Sequence, residues 1–338
     1  MKKVVIASGG TGGHIYPGIV IGKRLKELNI DILFIIDNRE PGISILKKEG
    51  LRFKIIPIFY WKRKVFSLNT AITFFLNLIA LGVSFFILFR EKPSVVLGMG
   101  GYPSFPVVLA SFLLRIPRFL HEQNARLGLA NRLLFPIAKK VATSFEQTIY
   151  QPKNTVFTGC PIRKEIGEVK REDGLLYFGF LEDKKTILIF GGSQGSSMIN
   201  DSILEIIQYL LEFRLIWITG NKDYQKIKEE VKEREVFITP FIFEMEKAYA
   251  IADIVISRSG ATTVAEIKRC GIPAILIPYP SPDNHQLLNA RGLQGVIIIK
   301  EENLNRNTLL DAIDRIKDRQ REPCRSDALE KLIELILT

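Results

Sequence analysis

Cysteine is scarce in this chain of 338 residues: Cys160, Cys270 and Cys324 stand far apart and no Cys-x-x-Cys pair occurs. That spacing argues against a thiolate zinc site or a disulfide framework, and it is consistent with a reducing compartment. Histidine is equally rare, and no two of His14, His121 and His285 lie at metal-ligand spacing. Asp-x-Asp is absent, so a diphosphate clamped by a metal is not expected, nor is any other cofactor. No Gly-Lys-Ser/Thr follows a glycine turn, which excludes a P-loop. Only Met1-Lys2-Lys3 precedes the first apolar run, so no signal peptide is expected. Acidic residues are in deficit, 36 against 47 basic, for a net charge of +11. Such a surface suits phosphates, anionic headgroups or nucleic acid. The lack of a repeated basic–aromatic pattern speaks against nucleic acid.

What is present is a strand–helix alternation written twice. Val4–Ser8, Asp31–Asp37, Ser94–Leu97, Arg118–His121 and Val141–Thr143 are short apolar runs separated by helical patterns such as Tyr16–Leu28. The second series runs through Thr186–Phe190, a helix over Met198–Leu211, then Leu215–Thr219, Val236–Thr239, Ile254–Ser257, Ala274–Ile277 and Val296–Ile299. Continuous apolar strands alternating with helices predict parallel sheets covered on both faces. Each series opens with strand, glycine turn and helix. The expected fold class is therefore α/β: two Rossmann-like domains with parallel sheets facing a cleft, a ligand lying at the strand carboxyl ends. The domains are expected at residues 1–158 and 159–320. Leu329, Leu332, Ile333 and Ile336 make 321–338 a packing helix that returns to the first domain.

Val65 to Phe89 carries no charge and has the length of a membrane span. It contains Ser67, Asn69, Thr70, Thr73, Asn77 and Ser84, however, and it falls between strands expected to share one sheet. The alternatives are a buried crossover helix and a helix half packed on the sheet and half exposed to a membrane interface. The second is preferred because Trp61-Lys62-Arg63-Lys64 supplies an aromatic and three cations for an anionic membrane surface.

The first glycine turn reads Gly9-Gly10-Thr11-Gly12-Gly13-His14 and the second Gly191-Gly192-Ser193-Gln194-Gly195-Ser196-Ser197. Glycine lets backbone approach a ligand, and the following helix offers N–H groups and a positive dipole end to phosphate. Ile15 stands where a dinucleotide fingerprint would call for Gly or Ala, which disfavours a nicotinamide dehydrogenase. Further polar clusters follow strands or the domain joint: Gly98-Met99-Gly100-Gly101-Tyr102-Pro103, His121-Glu122-Gln123-Asn124, Gly159-Cys160-Pro161-Ile162-Arg163, Ser257-Arg258-Ser259-Gly260-Ala261-Thr262-Thr263 through Glu266, and Asp283-Asn284-His285-Gln286.

Taken in order, GGTGGHIYPG, GMGGYPSFP, HEQNARLGLAN, GGSQGSSMIN and SRSGATTVAE resemble the MurG family over nearly the whole chain. The resemblance implies an inverting GT-B glycosyltransferase. It would move N-acetylglucosamine from UDP-N-acetylglucosamine to an undecaprenyl-linked muramyl-pentapeptide, as a peripheral protein on the cytoplasmic face of the membrane, near cell-wall synthesis and division proteins. It further implies that Glu266 holds ribose, Ile242 meets uracil, and Ser193 with the helix start after Gly195 binds diphosphate. Gln286 and Asn124 would contact the sugar, and Arg163 would lie among the donor-site residues. Thr11, Gly12 and Gly13 would approach the donor, with Arg258, Ala261 and Thr262 completing the binding set. Tyr102 and His121 fall on the acceptor side. His14 is the candidate general base, because an imidazole is readily neutral at pH 7, and Glu122 is the reserve. Cys160 departs from the family, which usually has Asn there. A related transferase with another lipid acceptor, or a non-hydrolysing UDP-sugar epimerase, would share this architecture.

Overall fold

Val4, Val5, Ile6 and Ala7 offer no polar side chain to either face, and in the computed structural model they form an interior strand with both faces buried. The structure describes residues 2–9, 12–40, 42–58, 68–181, 184–231 and 236–338, excluding the side chains of 68–76. Thr11 and the Trp61-Lys62-Arg63-Lys64 run lie outside the described residues.

The chain divides into two units, Met1–Ile162 with Asp327–Thr338, and Arg163–Ser326. The first contains β1 (Lys3–Ala7), α1 (Gly12–Glu27), β2 (Asp31–Ile36), α2 (Gly42–Lys48), β3 (Phe53–Ile55) and α3 (Leu68–Glu91). It continues with β4 (Val95–Gly98), α4 (Ser104–Leu113), β5 (Arg118–Glu122), α5 (Leu129–Leu134), β6 (Lys140–Thr143) and β7 (Thr155–Phe157). All strands are parallel in the order β3-β2-β1-β4-β5-β6-β7. Strand order reverses between β1 and β4, the switch point where loops on opposite faces part and leave room for a ligand. Register aligns Ala7 with Gly98 and Gly98 with Leu120, so the loops after β1, β4 and β5 leave one sheet edge side by side. β3 and β7 are three-residue edge strands, too short for an apolar pattern to announce them.

The second unit holds α6 (Arg171–Phe178), β8 (Thr186–Phe190), α7 (Ser197–Ile206), β9 (Arg214–Ile218), α8 (Tyr224–Glu230), β10 (Val236–Thr239) and α9 (Met245–Ile251). Then come β11 (Ile254–Ser257), α10 (Ala261–Cys270), β12 (Ala274–Leu276), α11 (His285–Arg291), β13 (Val296–Ile298) and α12 (Arg306–Ile316). Its parallel order is β10-β9-β8-β11-β12-β13, with the switch point between β8 and β11. α7 ends earlier than the apolar pattern suggests, passing into a single 3₁₀ turn at Ile207–Tyr209.

The last helix, α13 (Ala328–Leu337), belongs to the first unit. Leu332, Ile333 and Ile336 join the core formed by α1 and the β1–β2–β4 face. Burying such side chains stabilises by about 1.5–3 kcal/mol each.

α3 is amphipathic in packing rather than in composition. Ala80, Ser84, Ile87 and Leu88, at helical spacing, are buried against the sheet and α4. Ser84 returns its hydroxyl to the Ala80 carbonyl at 2.7 Å, removing its polarity from the interface. Leu78, Ile79, Phe85, Phe86 and Phe89 are exposed, as are Phe105, Phe112 and Leu113 of α4. Among the described residues no helix is long and apolar enough to cross a membrane.

Candidate active site

In the first unit the site is built around His14, in the first turn of α1. Its Nδ1 lies 3.0 Å from the Met99 carbonyl and 3.0 Å from Gln123 Oε1. Met99 follows β4 and is held by its own N–H donating to the Ala7 carbonyl. Gly100 and Gly101 have φ of +81° and +77°, backbone that costs an L side chain strain, and a Cβ on either would lie 3.4–3.5 Å from the imidazole. The GMGG cluster is thus a box for the His14 ring. Pro17 cannot donate to the Gly13 carbonyl, which loosens the first turn of α1 beside the ring. Gly13 itself is exposed, and a Cβ there would meet nothing.

Glu122, the reserve base, is buried and fully engaged. Its carboxylate accepts from Asn124 N–H at 3.0 Å, Asn124 Nδ2 at 3.3 Å, Gly128 N–H at 2.9 Å and Asn131 Nδ2 at 2.9 Å. With both oxygens so occupied it braces the 124–131 loop rather than facing a substrate hydroxyl. Asn131 was not singled out in the sequence, yet it also donates to the His121 carbonyl and keeps a buried Oδ1 with no partner among the described residues. His121 is fully buried. Burial pushes its ring down to about 4, against the opposing bond to the Gly159 carbonyl, so it stays neutral. Tyr102 is exposed on the loop after β4, and Asn124 is half-buried.

In the second unit the glycine turn after β8 is closed on itself: a Cβ on Gly191 would lie 2.3 Å from the Ser196 N–H nitrogen, and one on Gly195 2.4 Å from the Thr219 carbonyl. Ser193 is exposed on that turn, and Ser196 caps α7 by accepting from the Ile199 N–H. Asn200 ties α7 to the loop after β9, donating to the Thr219 carbonyl and Asp223 while accepting from Trp217 Nε1. Arg258, buried after β11, donates to Ser196 Oγ at 2.7 Å and to the Ile277 carbonyl at 3.1 Å, and pairs with Glu301. Its guanidinium is therefore spent on bracing the turn through the Ser196 cap.

α10 begins at Ala261, buried, with Thr262 beside it; Thr262 Oγ1 is buried and has no partner among the described residues. One turn on, Glu266 Oε2 accepts from Tyr249 OH at 3.0 Å. Desolvation pushes the Glu266 carboxyl up to about 7, partly countered by the Arg163 charge and the Tyr249 bond. Arg163 donates to the Phe243 carbonyl at 2.8 Å and pairs with Glu246 at 3.1 Å, fixing the loop after β10. The Ile242 side chain is buried in that loop, so what it offers a base is backbone. Gln286 Oε1 accepts from the Tyr279 N–H at 3.0 Å, leaving Nε2 to donate. His285 pairs instead with Asp283 at 2.7 Å. Ser193, Arg258, Thr262, Ile242 and Gln286 lie on loops or helix starts beyond the carboxyl ends of strands of one sheet, and Glu266 lies one turn further along α10.

Residues 4–143 match the glycosyltransferase family 28 N-terminal domain and residues 186–332 the family 28 C-terminal domain. A protein of Halothermothrix orenii named UDP-N-acetylglucosamine--N-acetylmuramyl-(pentapeptide) pyrophosphoryl-undecaprenol N-acetylglucosamine transferase is 39% identical, the match covering 93% of this chain and 90% of the relative. The crystal structure of Acinetobacter baumannii MurG superposes with a TM-score of 0.78 at 25% identity, covering 100% of this chain and 99% of that one. The chain belongs to the MurG family. It is a family 28 glycosyltransferase of GT-B-like fold. A UDP-GlcNAc 2-epimerase of Neisseria meningitidis has a TM-score of 0.67 at 18% identity over 99% of both chains, a likeness of fold alone. Set beside the MurG family, the residues easiest to overlook are Gln123 and Asn131, polar side chains that no sequence periodicity marks.

Proposed function

We propose that this chain transfers N-acetylglucosamine from UDP-N-acetylglucosamine to the 4-hydroxyl of the muramyl sugar of undecaprenyl-diphospho-muramoylpentapeptide, with inversion. The observation that carries this is the near-full-length match to relatives named for that transfer. The second unit would hold the donor. Glu266 accepts from ribose hydroxyls, backbone at Ile242 meets uracil, and Ser193, the α7 start and the Thr262 hydroxyl, which has no partner among the described residues, meet the diphosphate. The Gln286 amide, its Oε1 already accepting from Tyr279 N–H, donates to the sugar, and Asn124 is a further proposed sugar contact. Gly12 and Gly13 allow close approach, and Tyr102 and His121 are assigned to the acceptor side. Thr11 is part of this proposal but lies outside the described residues.

In the transfer the acceptor oxygen bonds to the anomeric carbon as the carbon–oxygen bond to UDP breaks, the electron pair leaving on the diphosphate. The acceptor proton passes to His14 Nε2, the ring nitrogen not turned toward Met99 and Gln123. Exposed Phe86 and Phe89 with their apolar neighbours on α3 and α4 support docking on the cytoplasmic face of an anionic membrane. Cell-wall synthesis and division proteins would be its neighbours there.

The test is mass spectrometry of the product from UDP-N-acetylglucosamine and a short-chain muramyl-pentapeptide diphosphate lipid. The acceptor gains one N-acetylhexosamine and UDP appears in equal amount. Folded, UDP-binding protein that leaves the acceptor unchanged refutes the assignment, and conversion of donor without acceptor would favour an epimerase.

A further inference from the structure

We propose that Gln123, acting with the Met99 carbonyl, is a positioning residue that locks the His14 imidazole in its Nδ1–H tautomer and so leaves the Nε2 lone pair for the acceptor. The proposal deepens the transferase reading and rests on it for its effect on turnover, but the tautomer itself is a separate fact. It follows from one carbonyl. Met99 O lies 3.0 Å from His14 Nδ1 and 2.9 Å from Gln123 Nε2. A carbonyl oxygen only accepts, so both nitrogens present N–H to it. That orients the Gln123 amide without ambiguity: Nε2 faces Met99, and Oε1 faces His14 Nδ1 at 3.0 Å as a second acceptor. The second N–H of Gln123 points to His121 Nδ1 at 3.1 Å. His121 must then accept at Nδ1 and donate from Nε2, which lies 3.3 Å from the Gly159 carbonyl.

This row of bonds, from His14 through Gln123 and His121 to Gly159, contains no carboxylate. Burial keeps His121 neutral, and an amide does not hand a proton on. Once His14 has taken the acceptor proton, its Nδ1–H still faces two neutral acceptors that steady the imidazolium. Gln123 is buried and bonded on both amide atoms, to His14, Met99 and His121, which holds its side chain in place.

Nitrogen NMR of histidine-labelled protein at about pH 8, where an imidazole is neutral, tests the tautomer directly. Three histidines make assignment by single substitutions practical. The expected spectrum has a protonated Nδ1 and a bare Nε2 on His14; the opposite pattern overturns the proposal. Gln123→Met removes the second acceptor while filling the same space. It is expected to mix the two tautomers and lower kcat about ten- to a hundredfold, with KM for the donor within about twofold. Gln123→Glu keeps an oxygen toward His14 while losing both N–H donors, and it should still hold the Nδ1–H tautomer, which a loss of packing alone would not predict. If Gln123→Met folds and leaves both spectrum and kcat unchanged, Gln123 has no positioning role. If it does not fold, the wild-type and Gln123→Glu spectra decide, and a protonated Nε2 with a bare Nδ1 on His14 in Gln123→Glu counts against the proposal. A His14→Ala variant of undiminished turnover would instead sink the base assignment and leave the tautomer result standing.

Discussion

If Glu266 holds the donor ribose as proposed, its carboxyl makes donor binding pH-dependent in a direction that can be worked out in advance. In the folded chain it titrates at about 7 rather than its ordinary 4.5, because burial disfavours the charged form. Folding therefore loses stability as pH rises from about 4.5 through about 7, since the ionised group is the one the fold resists. A ribose diol reverses the preference: a carboxylate accepts two hydroxyls, whereas a carboxylic acid must give up one acceptor to hold its proton. At about pH 8 some nine-tenths of the group is ionised, and at about pH 6 some one-tenth. If only the ionised form binds ribose, the apparent Kd rises about tenfold between the two. Uridine is the proper probe, because it carries the ribose without a phosphate that would titrate in the same range. Calorimetry in buffers of different ionisation enthalpy should show weaker uridine binding at the lower pH, with a proton released on binding. Glu266→Gln should bind weakly and without the pH dependence. A wild-type affinity flat from about pH 6 to 8, or a Glu266→Gln variant that keeps the wild-type slope, refutes the reasoning.

Three further outcomes follow from particular contacts. Gly13→Ala should fold with a urea midpoint unchanged or slightly raised, because a Cβ there meets nothing and Ala favours the helix, yet product formation should fall at least about tenfold if a ligand occupies that space. Glu91, held down at about 2 by hydrogen bonds from Lys3 and Lys54, contributes stability that is present above about pH 4.5 and lost as pH falls toward 2. Glu91→Gln should therefore cost about 1–2 kcal/mol in urea unfolding at pH 7, and the gap from wild type should close through that acid window. Phe86→Glu combined with Phe89→Glu should lower flotation on anionic vesicles about a hundredfold while sparing turnover on a water-soluble acceptor. Equal flotation would place the membrane contact elsewhere.

Much of the fold was legible in the residues because its signals are local. Val4–Ala7, Ile187–Phe190 and Ile254–Ile256 are unbroken apolar runs, and a run of that length between helical patterns has few alternatives to a buried parallel strand. The glycine turns were legible for the same reason, since positive φ at Gly192 and Gly195 favours that residue type. Phe53–Ile55 and Thr155–Phe157 were not, because a three-residue edge strand is defined by its neighbour rather than by its own pattern.

The site divides along the same line. Sequence could nominate His14, Glu122, Arg258 and Glu266 as chemistry-bearing groups, but not what each faces. Glu122 became a loop brace once Asn124, Gly128 and Asn131 converged on it, and Arg258 became a support for the α7 cap once β11 lay beside β8. Gln123 acquired a role only because β5 is paired with β4, bringing residues 14, 99, 121 and 123 to one edge of one sheet. Chain order records which side chains exist. Which lone pair meets which N–H depends on non-local strand pairing, and that pairing exists only in the folded chain.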